Sequence, residues 1–180
     1  MKCSAIMENK EKKTSGIEKA AEDLFNFAVD HEDVKWLVEH LPQEADIECG
    51  KVEYELRMLK IISVGWSLSY FLENHLSRHT LLELYWQAVN QFSQSISATT
   101  GLMVGRDIDY FQILKERLDM YVAALAQNPD APEPAVVIGP EFAGTCGNAD
   151  DIFTVMTGSK MFIVTIGRVK AYLEAIELRQ

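Results

Sequence analysis

The chain has 180 residues, 48% of them hydrophobic and 24% charged, with a net charge of −10 and a pI near 4.8. That length suits one domain with a substantial core, is short for two, and the apolar fraction argues against global disorder. The acidity leaves no broad basic footprint for phosphate backbones or anionic lipid, so neither a nucleic-acid nor a membrane partner is expected. The imbalance is amino-terminal: residues 1–55 hold 14 acids against 7 bases, and the rest holds 13 against 10.

Residues 1–14 are polar and lysine-containing without an apolar h-region, so a flexible tail is expected there rather than a signal peptide. Residues 15–180 are expected to form one helical-bundle domain. Ser15-Gly16-Ile17-Glu18 has the form of a capping box, followed by Ile17, Ala21, Leu24, Phe25 and Ala28 at helical spacing. Asp30 to Asp33 interrupts that pattern. A short second helix then runs through Trp36, Leu37 and Leu41 and stops at Pro42, before an acidic linker over 43–50.

A long helix is expected from Lys51 to Leu76. Its two apolar stripes, one through Leu56, Leu59, Ile62 and Trp66, the other through Ile61, Val64, Leu68 and Phe71, place it centrally in a bundle. Gly65 and its neighbouring serines suit a close approach by another helix. Thr80-Leu81-Leu82-Glu83 is a second capping box, opening a helix to about Thr100 with Gly101 as its stop. From Leu84 to Gly105, twenty-two residues pass without one Asp, Glu, Lys, Arg or His. Gln87, Asn90, Gln91 and several serines interrupt its apolar residues too often for a membrane span. A face of neutral amides and hydroxyls loses less on desolvation than a charged one, so Gln87, Gln91 and Gln94 become interface candidates.

Asp107 is positioned to cap a helix from Ile108 to Gln127, closed by Asn128-Pro129. Residues 128–148 hold four of the five prolines and three of the ten glycines, and read as a long loop before the last helix. Within it Ala135 to Gly139 reads as an extended apolar segment, lying on its own bundle or docking a partner. Residues 152–166 are rich in Thr, Val, Ile and Phe, which favours a hairpin locally. Against that, Ile152, Val155, Ser159, Phe162, Ile166, Val169, Leu173 and Ile176 recur at alternating three and four. The seam outweighs local propensity, and one helix is expected from Asp150 to about Arg179.

Cys3, Cys49 and Cys146 are too far apart for a zinc motif, and an odd number fits reduced thiols in the cytoplasm. Cys146 is the reactive-thiol candidate, because it precedes an expected helix start. His75, His79 and Glu83 have ligand-like spacing, but the capping box at Thr80 breaks the shared face, so no metal is expected. The acids and imidazole of Asp30-His31-Glu32-Asp33 read as a solvated helix start. Trp66, Tyr70 and Phe162 are candidates to line a pocket between the central and terminal helices. No Walker loop, dinucleotide fingerprint or nucleophile elbow is present, and no cofactor is implied.

The expected architecture is all-α: a single-domain bundle of five or six mostly antiparallel helices with one long Pro/Gly-rich loop before the last. The expected function is that of a non-catalytic cytoplasmic interaction or scaffold module, self-associating as a homo-oligomer or binding a protein partner through the glutamine face and the terminal-helix seam. The alternative is a small-molecule sensor or carrier with an apolar pocket between helices. An enzyme has the least support, for want of an acid, base and nucleophile constellation.

Overall fold

A computed structural model describes residues 2–42, 47–105 and 107–176 of the chain. They form the helices α1 (Lys2–Val29), α2 (Glu32–Glu39), α3 (Cys49–Phe71), α4 (Arg78–Val104), α5 (Tyr110–Gln127), α6 (Pro134–Cys146) and α7 (Ile152–Ala175), with no strand among the described residues. The all-α bundle is therefore present, with the six helices read from the sequence and one more, α6, where a loop was expected. Residues 43–46 of the acidic linker, Arg106, and the helix end placed at Arg179 lie outside the described residues.

The central element is α3. Val52, Leu56, Met58, Leu59, Ile61, Ile62, Val64 and Leu68 are all buried, on more than one side of the helix. It touches each of the other six helices. Its buried serines bond back to their own helix: Ser63 Oγ donates to the Leu59 carbonyl and Ser67 Oγ to the Ser63 carbonyl, each at 2.6 Å. Hydroxyls satisfied in this way can be buried without a partner from elsewhere. The helix ends at Phe71, five residues short of the expected Leu76.

Several helix boundaries differ from expectation. Ser15 lies inside α1, whose backbone is helical from Lys2 onward. Arg78 opens α4 behind Ser77, so the Thr80–Glu83 capping box goes unused, and α4 runs through Gly101 to a left-handed stop at Gly105, φ 66°. Asp109 rather than Asp107 caps α5, accepting the Gln112 amide at 2.9 Å. Asp151 caps α7 by accepting both the amide and the hydroxyl of Thr154, each at 2.7 Å.

The expected loop over 128–148 is the main correction. Residues 128–133, with Pro129 and Pro132, are non-helical as expected, but α6 then accommodates the later breakers. Pro134 sits in the first turn of α6, where its missing amide hydrogen leaves no bond unmade. Pro140 takes one bond from the ladder, at the carbonyl of Val136, a residue exposed to solvent. Gly147 adopts φ 81° and ends the helix, its amide on the Gly144 carbonyl and the next amide on that of Ala143. Ala135 to Gly139 is therefore helical, not an extended strand.

Of the other two glycines, Gly144 faces open space and Gly139 serves packing between α6 and α7. A Cβ there would lie 2.8 Å from the Val155 carbonyl oxygen. Across the contact, a Cβ on Gly158 would lie 2.7 Å from Cβ of Phe142. The two backbones thus approach through a pair of missing side chains, and Ser159 Oγ crosses the gap to the Ala135 carbonyl at 2.9 Å. This close approach predicts that Gly158→Ala destabilises the fold by about 1–3 kcal/mol through overpacking. Gly167, on the same helix with open space around it, is the control, and its replacement by Ala should stabilise by up to about 1 kcal/mol. Urea unfolding of the two variants measures both, and equal effects would contradict the packing described.

Candidate functional site

The junction between α1 and α2 gathers Asp30, His31, Glu32 and Asp33 in four consecutive positions. Asp30 folds its carboxylate over the turn, Oδ1 accepting the Glu32 amide at 3.0 Å. Instead of facing only solvent, the acids receive a cation from the centre of the bundle. Lys60 of α3 is completely buried, and its Nζ donates to the Asp30 carbonyl oxygen at 2.9 Å. The same atom lies 3.2 Å from Asp33 Oδ2, 3.8 Å from Asp30 Oδ1, and 4.6 Å from the centre of the Phe27 ring. Arg168 of α7 reaches Asp33 from the other side at 2.8 Å. Two cations and two carboxylates therefore close one corner among α1, α2, α3 and α7. Asp30, His31 and Glu32 are exposed, as expected of a solvated helix start, and Asp33 is the one drawn inward by the two cations. The signal in the sequence was the lone Lys60 in the run from Leu59 to Val64.

Beside this corner lies a cleft of about 490 Å3, walled by α1, α3, α4 and the start of α5. Helical spacing builds two of its walls: Tyr54, Arg57 and Ile61 follow one face of α3, and Phe92, Ile96 and Thr100 follow one face of α4. Its base is apolar, from Ala28, Ile61, Phe92 and Ile96, while Asp30, His31, Arg57 and Tyr54 form a polar rim. Tyr110 stands edge-on to Tyr54 with ring centres 6.0 Å apart, and its amide donates to Ser97 Oγ at 3.0 Å. Burial, aided by the neighbouring Tyr54, pushes the Tyr110 hydroxyl up to about 12, so it stays protonated. Arg57 pairs with Glu53 one turn away, yet its buried Nε has no hydrogen-bond partner among the described residues.

The candidates read from the sequence fall elsewhere. Gln87, Gln91 and Gln94 are all exposed along α4. Trp66, Tyr70 and Phe162 do come together: Trp66 stacks on Tyr70 at 4.9 Å and meets Phe162 at 5.4 Å. They form no ligand pocket: Tyr70 is mostly exposed, and the void beside Trp66 and Phe162 is about 10 Å3, room for at most one water. His75 sits between α3 and α4, where its Nδ1 accepts the Ser77 amide at 3.1 Å, and His79 lies in the first turn of α4. No cluster of three or more His, Cys, Asp or Glu among the described residues is placed to hold a metal.

Cys146 is buried at the carboxyl-terminal end of α6, the reverse of the helix start expected for it. Burial, with the Glu55 carboxylate nearby, pushes its thiol up to about 12, and the negative end of the helix opposes the thiolate further. It is not an activated nucleophile. That Glu55 is itself buried in α3, held by Arg117 of α5 through two bonds at 2.8 and 2.9 Å.

One surface stands out on α7. This helix buries Met161, Phe162, Val169 and Leu173 along its later turns, but in its first turns it buries Thr154, Thr157 and Gly158 while exposing Ile152, Phe153 and Met156, and Ile163 is exposed further on. The small residues of the first turns permit close packing on α6, and larger apolar groups are left on the outward face there. By length and composition α7 is apolar enough to cross a membrane, and 39% of its most apolar stretch is buried in the fold.

Two outcomes test these arrangements. Removing an acid from the corner leaves Lys60 buried with less compensation, whereas removing the lysine leaves acids that reach Arg168 or water. Asp33→Ala should therefore cost about 3 kcal/mol, and Lys60→Met clearly less, by chemical denaturation. In a Cys3→Ser background at pH 8, iodoacetamide should label native Cys146 at least ~10-fold more slowly than the exposed Cys49, with the difference lost in denaturant. The chain matches no family model, no curated protein and no solved structure.

Proposed function

We propose that this protein is a non-catalytic interaction module that self-associates. The observation that supports the reading is the outward face of the first half of α7, where Ile152, Phe153 and Met156 are exposed while Thr154, Thr157 and Gly158 are buried, and Ile163 continues the exposed face. A helix whose only partner were its own bundle would gain more from burying those larger groups, at about 25 cal/mol per Å2 of apolar surface. Met156 and Ile152 are more than 60% exposed, one turn apart, and Ile163 continues the stripe two turns on. Contiguous exposed apolar surface of this kind marks interaction sites.

The occupant fitting this stripe is a second copy of the chain. One helix presenting the same residues from both sides forms a two-fold contact, the commonest symmetry among soluble oligomers. A net charge of −10 disfavours anionic membranes as the cover. The exposed amides of Gln87, Gln91 and Gln94 on α4 give a second, weaker surface for a protein partner, since neutral groups are desolvated at lower cost than Lys or Glu.

Sedimentation velocity at micromolar concentration tests the proposal. The expected result is a species heavier than the 20.3 kDa chain, reduced to monomer by Met156→Glu or Ile163→Glu with the helical content and melting temperature retained. A wild-type protein that stays monomeric throughout that range would sink the self-association reading. Loss of the oligomer in Gln91→Glu but not in Ile163→Glu would move the contact to α4.

A further inference from the structure

The cleft beside the charged corner lies away from the outward face of α7, and its chemistry is independent of self-association. The geometry points to a binding site for a small apolar carboxylate, with its tail against Ile61, Phe92 and Ile96 and its head on Arg57. Three observations carry this. The cavity, at about 490 Å3, has the size of a small-molecule site and is sealed at its base by apolar side chains. Its cation is under-used: Glu53 engages only Nη2 of Arg57, whose side chain is 42% exposed. A guanidinium presents five donors in a planar fork that matches a carboxylate, so a ligand carboxylate is offered the outer donors that Glu53 leaves free.

The third observation is charge. Asp30 lines the same cleft, but its carboxylate is occupied by the Glu32 amide and by buried Lys60. The acid that would repel an incoming anion is thereby compensated. The guanidinium is shared with Glu53 and flanked by His31 and the phenols of Tyr54 and Tyr110, which limits the site to a monoanion; a phosphate dianion would require further cations. Tyr110 lines the same cleft with a hydroxyl that burial keeps protonated.

Isothermal titration calorimetry of the full chain with octanoate and 1-octanol separates head from tail. Octanoate is expected to bind at least ~10-fold more tightly than the alcohol, the scale of a hydrogen bond to a charged group. Arg57→Gln should abolish that preference while leaving the weak binding of the alcohol, and Arg57→Lys should keep part of it. Ile96→Trp, which fills the apolar end, should weaken both ligands. Far-UV circular dichroism and melting curves identify which of these variants fold, and any folded one suffices. Equal affinity for acid and alcohol overturns the proposal. So does octanoate binding unchanged in folded Arg57→Gln or Ile96→Trp, or no detectable binding of octanoate at millimolar concentration. None of these readouts depends on the oligomeric state, so failure here leaves the reading of α7 standing, and the reverse also holds.

Discussion

Two ionised side chains on one buried helix constrain everything around them. Lys60 and Glu55 of α3 are five residues apart, which places them about 140° apart around the helix axis. Among the described residues, Lys60 is satisfied at the α1–α2 corner and Glu55 by Arg117 of α5. A rotation or slide of α3 by one residue would leave both charges buried without partners, at several kcal/mol each. Apolar side chains distributed around most of α3 would tolerate several rotations almost equally well. The ion pairs select one, and that choice fixes where Tyr54, Arg57 and Ile61 face.

Much of this architecture was readable from the periodicity. The three-and-four seam over 152–176 correctly favoured a helix over a hairpin, and the two stripes of α3 correctly placed it at the centre. Gly65 was expected at a close approach, and it meets the ring of Trp86. What misled was composition taken without position. Prolines and glycines over 128–148 looked like a loop, and Pro129 and Pro132 do lie outside the helices, but Pro134 occupies a first turn, Gly139 a helix contact and Gly147 a left-handed stop. For α7 the later seam residues Phe162, Val169 and Leu173 are buried as expected, while Ile152 is exposed. In the first turns the inward face is taken by Thr154 and Gly158, where Phe142 of α6 comes too near for a larger side chain. The cleft was hidden for another reason. It is assembled from four helices, and nothing in the chain near Arg57 announces that Phe92 and Tyr110 will stand opposite.

The absence of charge from Leu84 to Gly105 also has a local account. Ser93 and Ser97 of α4 donate to carbonyls one turn back, at 2.7 and 2.8 Å, and Ser95 and Thr99 do the same along the exposed side. Ser97 then accepts the Tyr110 amide and ties the start of α5 to α4. A helix that satisfies its own hydroxyls presents little polarity that must remain in water. Its glutamines are left as the groups with spare donors and acceptors, the chemistry a protein partner would meet there.

Several links across the bundle span most of the chain. Arg168 reaches Asp33 over 135 positions, and the Tyr172 hydroxyl donates to Asp23 over 149. During synthesis, α1 to α5 leave the ribosome well before those two residues exist. Until then Asp33 and Asp23 lack their partners from α7, and the side of α3 destined for that helix stays uncovered. The nascent protein therefore passes through a stage with its central helix half wrapped, open to chaperones or to a neighbouring polypeptide. Closure comes late and locks both ends together at once.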